Sequence, residues 1–292
     1  MAQADVDIFV RLERFYDAVP RDAAVAEDIG DFVLFVRAAP EGQSSGWPFY
    51  ARPRLGAGTP SAADITAVRR RQRELGAPEA FEWVHETTPD LLAVARSAGL
   101  DVLLAPLMVL EIPALVPDLP LPGATIRFLN PAAPGFPADL YAARAVSQLG
   151  FGAPATAGAL SGTLPVSPAG PRERDALPPL SEATVEAERR RLLTGRLTAA
   201  VAESPADGIL ASGFAQRVDE VTEIAGVATL PSARRRGYAS QLTASLARDA
   251  LENGSNLVFL SAGDDDTARL YSKVGFRRIG TACIGGPAPV PL

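Results

Sequence analysis

Thirteen prolines fall between Pro113 and Pro179, and they decide how this chain of 292 residues can be divided. Each lacks an N–H and holds its predecessor in extended backbone, so neither a helix interior nor a central strand survives at that density. The first cluster, Pro113-Ala-Leu-Val-Pro-Asp-Leu-Pro-Leu-Pro122, predicts a semi-rigid linker over 113–122. Two domains follow, 1–118 and 119–292, each long enough to bury a core. The second cluster, Phe151 to Leu180, mixes proline, glycine and small polar residues around Arg172, Glu173, Arg174 and Asp175. It reads as a long loop on the substrate side or as a disordered segment.

Composition removes several function classes. The best apolar stretch, Val102 to Leu110, contains Pro106 and is far short of the ~18 residues that cross a bilayer. Asp5 and Asp7 stand where a secretory or transit peptide is basic or free of acids, so the expectation is a soluble cytoplasmic protein with no membrane partner. Cys283 is the only cysteine and His85 the only histidine, which excludes an internal disulfide and a thiolate or imidazole metal cluster; no metal is expected. Cys283 reads as a small apolar filler. A net charge of −6 disfavours nucleic acid. The charge is uneven: residues 1–118 carry 11 cations against 18 carboxylates, leaving 17 against 16 for the rest.

Periodicity predicts a mixed α/β layer fold. Ahead of the linker come a helix from Ala63 to Leu75, a strand Phe81–Glu86, a helix opened by Thr88-Pro89, and a strand from Val102 broken at Pro106. Beyond it, Thr125–Leu129 is a strand and Ala138–Leu149 a helix, and Ser181 caps a charged helix. A hairpin crosses Ser204-Pro-Ala-Asp207, and Val221–Leu230 is a strand. Gly237–Glu252 is a helix striped by Ala239, Leu242, Leu246 and Ala250. A strand Leu257–Ser261, a helix Asp264–Val274 and a last strand Arg277–Ile284 complete the second domain.

Chemistry concentrates in Val227-Ala-Thr-Leu-Pro-Ser-Ala-Arg-Arg-Arg-Gly-Tyr-Ala239. A strand enters a loop of three arginines and a glycine that opens straight into a helix. The first N–H groups of a helix lack internal partners and carry the positive end of its dipole, so they suit phosphate oxygens. Gly237 lets backbone approach a ligand closely, and Arg234, Arg235 and Arg236 add cationic donors. A solvated basic turn is the plainer reading of the same residues.

Arg234-x-x-Gly237-x-Ala239, with Pro231 three residues ahead, resembles the Arg/Gln-x-x-Gly-x-Gly/Ala signature of the GNAT N-acetyltransferase superfamily. Asp264-Asp-Asp-Thr-Ala-Arg-Leu-Tyr271-Ser-Lys-Val-Gly275-Phe276 is similar to that family's second signature, with Asp264 where Asn is common. The resemblance covers roughly 123–292 and implies acetyl-CoA as cosubstrate. It implies that Val227, Ala228 and Thr229 pair with the pantetheine arm, and that Arg234 to Ala239, Tyr238 included, hold the pyrophosphate. Asp264 joins the cofactor set, and Tyr271 is the general acid for the departing thiolate.

For the general base, Glu223 shares a strand face with Ala225 and Val227, and Glu220 competes from the strand start. The first domain repeats the helix–strand–helix–strand order, but Pro53-Arg-Leu-Gly56-Ala-Gly58 puts proline where the signature has Arg or Gln. The whole therefore resembles a tandem GNAT protein: two GNAT-like domains, the C-terminal one complete and the N-terminal one degenerate. The implied function is acetyl transfer to an amine of a small molecule or peptide, by a monomer or homodimer. The alternative is a non-catalytic CoA-sensing or scaffold protein. Gly42-Gln-Ser44-Ser-Gly46 fits a nucleophile elbow in spacing only, because no strand precedes it and Trp-Pro follows. His85 reads as a core or interface histidine.

Overall fold

The computed structural model describes residues 3–37, 49–152 and 168–288. In chain order these form α1 (Gln3–Arg21), β1 (Ala24–Ile29), β2 (Phe32–Arg37), β3 (Phe49–Pro53), α2 (Ala62–Glu74), β4 (Phe81–Val84), α3 (Leu91–Ser97) and β5 (Leu100–Leu110). Then come β6 (Thr125–Phe128), α4 (Phe136–Gly152), α5 (Pro171–Asp175), α6 (Glu182–Leu193), β7 (Leu197–Ser204), β8 (Gly208–Val218) and β9 (Val221–Thr229). The last elements are α7 (Tyr238–Glu252), β10 (Leu257–Ser261), α8 (Asp265–Val274) and β11 (Phe276–Pro287). The class is mixed α/β, as the periodicity predicts. The Gly42–Gly46 pattern lies outside the described residues, as does most of the second proline cluster.

Two compact units form, and they are not consecutive in sequence. One comprises residues 1–108, 261–268 and 278–292; the other comprises 109–260 and 269–277. The last strand, read with the second domain, pairs antiparallel with β4 of the first unit, Ala282 opposite Val84 and Gly285 opposite Phe81.

In the first unit the strands run β1-β2-β3-β4-β11-β5. The β1–β2 hairpin turns at Gly30, which holds φ 59°, and Ile29 pairs with Phe32. Helix α2 begins with a complete capping box, in which Ser61 and Asp64 satisfy each other's backbone N–H groups. Its buried residues Ile65 and Val68 join Phe32, Leu34, Phe81, Trp83 and Leu91 in one core. Cys283 is fully buried in the same core, and burial, with the nearby Glu86 charge, pushes its thiol up to about 11. That is the environment of a filler.

Two sequence expectations change in this unit. Strand β5 runs unbroken through Pro106, because a proline removes one donor only, and its carbonyl still accepts from the Ala262 N–H at 2.9 Å. Helix α3 starts at Leu91 behind Asp90, past the Thr88-Pro89 pair, and Asp90 makes no side-chain cap.

The second unit has strand order β10-β9-β8-β7-β6, and all its pairs are antiparallel except β10 with β9. The β7–β8 hairpin closes with Ser204 opposite Gly208, and β8 passes to β9 through Asp219 and Glu220. Ser181 caps α6, accepting from the Thr184 N–H. Residues 113–122 are tied down along this unit. The Val116 N–H donates to the Val274 carbonyl, the Leu119 N–H to Gln241 Oε1, and Arg248 binds Asp118 and the Val116 carbonyl.

Gly275 makes that attachment possible. It holds φ 119°, and a Cβ there would stand 2.6 Å from the Ala114 carbonyl oxygen, while the Gly275 carbonyl accepts from the Glu111 N–H. Gly275→Ala combines a backbone conformation that L side chains rarely adopt with overlap against main chain. The expected cost is about 3 kcal/mol, roughly 6–12 °C in Tm. Thermal unfolding of the variant checks it, and a shift under about 2 °C would refute the close approach.

Candidate functional site

The site starts with a bulge in β9. Ser212 pairs with Ala228 and Phe214 with Ala225, so Gly226 and Val227 together oppose Gly213. Gly226 holds φ 63°, and a Cβ there would collide with the Phe214 ring. The extra residue reverses the side-chain alternation. Val227 lies by Gly213 on the side of Leu242 and Leu246 of α7, whereas Ala228 touches Gly150 of α4. Glu223, Ala225 and Val227 therefore do not share one face as simple alternation predicts.

On its other edge β9 pairs with β10 only through Val221, Thr222 and Glu223, opposite Leu257, Val258 and Phe259. Among the described residues the ladder stops there, and the two strands part. Glu223 sits at the fork, half-buried, and Ile224 to Thr229 have no ladder partner on the β10 side. Glu220 is exposed at the opposite end of β9. Its carboxylate accepts from the Asn256 side chain and its carbonyl from the Asn256 and Leu257 N–H groups, a brace for the start of β10.

Beyond Thr229 the chain makes one 3-10 turn, Pro231–Ala233, and enters α7. Arg235 and Gly237 both hold left-handed backbone, φ 64° and 85°. Gly237 is the N-cap of α7, among the described residues no side chain bonds that cap, and no acidic residue stands in the first turn. A Cβ on Gly237 would have nothing closer than Leu121 Cδ2 at 3.8 Å, so the space over the helix start is open.

The three arginines divide by role. Arg234 is half-buried and donates to the Gly150 carbonyl at 2.7 Å, satisfying a late carbonyl of α4 and fixing the loop. Arg235 and Arg236 are exposed, with Arg236 also reaching the Ser232 carbonyl. Tyr238 is buried beneath the helix start and Ala239 follows in the first turn. Residues 168–175 run beside this loop, where the Ser232 N–H donates to the Ala169 carbonyl. Part of the expected loop is thus the short helix α5, held by Arg174 donating to the Asp207 and Ile209 carbonyls.

Tyr271 belongs to the same compact unit as β9 and α7. It is 7% exposed, its ring meets Phe276 edge-on at 6.3 Å, and burial pushes its hydroxyl up to about 12. Among the described residues that hydroxyl has no hydrogen-bond partner, so the phenol keeps its proton free to give. Asp264 falls in the other unit, and its carboxylate accepts from the Thr267 N–H at 2.7 Å as the cap of α8. An aspartate or an asparagine performs that capping equally well.

Neither the bulge nor the uncapped helix start follows from apolar periodicity. For the first, the local signal is Gly226, a lone glycine inside a strand pattern.

Among the described residues no group of His, Cys, Asp and Glu is placed to hold a metal, and no helix is long and apolar enough to cross a membrane. The FR47-like protein family matches residues 207–284, from the start of β8 into β11. No curated protein compared with the chain matches it. Among solved structures, a GCN5-related N-acetyltransferase from Kribbella flavida superposes with a TM-score of 0.68 at 19% identity, covering 97% of this chain and 96% of its own. The fold is that of the GNAT superfamily. A putative GNAT acetyltransferase from Novosphingobium aromaticivorans gives a TM-score of 0.51 at 17% identity, over 94% and 95% of the two chains. A tandem GNAT protein from the clavulanic acid biosynthesis pathway gives 0.50 at 14%, over 89% and 80%. The stretch matched by the FR47-like family contains the forked strand, the open helix start and Tyr271.

Proposed function

We propose that this chain is an acetyl-CoA-dependent N-acyltransferase acting on an amine of a small molecule or peptide. The observation that carries the reading is the fork: β9 leaves β10 at Glu223 and leads, with an unpaired edge, to an uncapped helix start beside Arg235 and Arg236. An extended strand edge suits the amides of a pantetheine arm, and oriented N–H groups with exposed guanidinium groups suit a pyrophosphate. Val227, Ala228 and Thr229 would take the first and Gly237 to Ala239 the second. The open space at Gly237 fits a bound phosphate.

Acetyl-CoA supplies an acyl thioester whose carbonyl carbon an amine attacks directly. Glu223 takes the proton that the amine nitrogen sheds, directly or through water. Tyr271 gives its hydroxyl proton to the sulfur as the carbon–sulfur bond breaks, and solvent restores both groups. A thiolate stabilised in this way leaves faster than one released bare.

Release of free thiol from acetyl-CoA across a panel of amines tests the proposal. Amine-dependent release is the expected result. CoA binding without release over the whole panel would replace transfer by the sensing role.

The two units differ in what they offer an anion. At the start of α2 the Asp64 carboxylate already occupies the cap, accepting from the Ser61 N–H at 2.8 Å, and the preceding loop opens on Pro53, which has no N–H. A phosphate there would meet a negative charge and satisfied donors; at α7 it meets neither. Calorimetric titration is expected to give a single CoA per chain, its affinity cut at least about 100-fold by Gly237→Trp. Two equivalent sites per chain would contradict this.

A further inference from the structure

The first unit holds a cavity of about 400 Å³ between α1, Leu55 and the residues that follow β4. Val6, Phe9, Val10 and Leu55 supply apolar walls, and the size falls among small-molecule sites. Three charged residues also line it, Glu13, Arg14 and Glu86, and their situations differ.

Glu13 is fully engaged. One oxygen accepts from Arg52 at 2.9 Å and the other from the Thr87 hydroxyl at 2.7 Å. Arg52 is 2% exposed and also stacks over Tyr16, so Glu13 is already paired with a buried cation. Arg14 is exposed to solvent. Glu86 is half-buried; one oxygen accepts from the Thr281 N–H at 2.9 Å, and among the described residues no cation lies within ion-pair reach. The Cys283 thiol nearby, pushed up to about 11 by burial and by Glu86 against the opposing pull of Arg96, stays neutral and adds no balancing charge.

Glu86 has no ion-pair partner among the described residues, and a cation carried on an apolar body would pair with it while covering the apolar walls. The excess of carboxylates over residues 1–118 favours the same sign of ligand. We propose that this cavity binds a small organic monocation with an apolar body, an arylalkyl- or alkylammonium, with the ammonium against Glu86. The proposal does not rest on the transferase reading and involves no covalent step.

The full chain, without acetyl-CoA, is titrated with 4-phenylbutylammonium, neutral 4-phenylbutanol and anionic 4-phenylbutyrate. The ammonium is expected to bind about tenfold more tightly than either of the others. Glu86→Gln, whose amide oxygen can still accept from Thr281, should reduce ammonium affinity about tenfold and leave the alcohol unchanged. Val10→Trp should weaken all three by filling the cavity. Equal or tighter binding of the butyrate, ammonium affinity insensitive to Glu86→Gln, or no ammonium binding up to about 10 mM would each overturn the proposal. Repeating the ammonium titration with saturating CoA should leave its affinity unchanged, which keeps this result separate from the outcome at α7.

Discussion

Gly237→Trp is expected to weaken CoA binding by at least about 100-fold, a loss of about 2.7 kcal/mol, while the protein stays folded. The fold should tolerate the change because a Cβ at Gly237 finds only Leu121 Cδ2, at 3.8 Å, and the rest of an indole can extend outward. The φ of 85° adds a strain of roughly 1–2 kcal/mol, which a stable unit survives. Binding should not survive, because the indole would lie over the N–H groups that start α7, where among the described residues no side chain caps the helix. Gly237→Ala separates the two effects. It carries the same backbone strain without the bulk and should lose far less affinity than the tryptophan variant. Calorimetry on both, with circular dichroism to verify folding, decides the matter; CoA affinity retained in a folded Gly237→Trp protein would move the phosphate site elsewhere.

Those parts of the site that depend on residues adjacent in the chain are legible in the amino-acid sequence itself. Arg234 to Ala239 announce a loop entering a helix, and the stripe of Leu242, Leu246 and Ala250 is buried as its spacing requires. Features set by distant partners are not legible in this way. Nothing local in the last strand reveals that it pairs with β4, because a strand pattern specifies faces and leaves the partner open. Arg234 looks identical to its two neighbours until α4 brings the Gly150 carbonyl to it. The bulge at Gly226 shifts Val227 to the other face by a single residue, and a period of two cannot show that.

Helix α1 and the β1–β2 hairpin are additions to the elements expected from periodicity. Strand β1 buries none of its residues fully, so its apolar alternation is weak. The signals around it are stronger: Phe9, Leu12 and Phe15 stand at helical spacing, and Ile29-Gly30-Asp31-Phe32 forms a tight turn ahead of an apolar run. The α2 capping box is equally local. Ser61 and Asp64 stand three residues apart in the pattern that marks a helix start. Their reciprocal bonds give the two units opposite electrostatic characters at equivalent places in the repeated element order.

Tyr271→Phe should lower turnover by about 10²–10⁴ while leaving acetyl-CoA affinity nearly unchanged. The substitution removes one oxygen and keeps the ring, so the edge-on contact with Phe276 and the packing of α8 persist. What disappears is a proton donor. Burial holds the Tyr271 hydroxyl near 12, so it stays neutral and able to donate through the whole physiological range. The sign of the pH dependence follows. An acid that must be protonated loses activity as pH rises through its own pKa, and raising that pKa from the ordinary tyrosine value of about 10 moves the alkaline loss upward. On the proposed transferase activity, any fall of kcat/KM below pH 10 in the wild-type protein must therefore come from another group. A basic limb arising from Tyr271 should also vanish in the phenylalanine variant, which has no phenol to ionise. Steady-state rates for both proteins across pH 6 to 11, with thiol release as the readout, test the assignment. A Tyr271→Phe protein within twofold of wild type would reduce Tyr271 to a packing residue and leave water to protonate the sulfur.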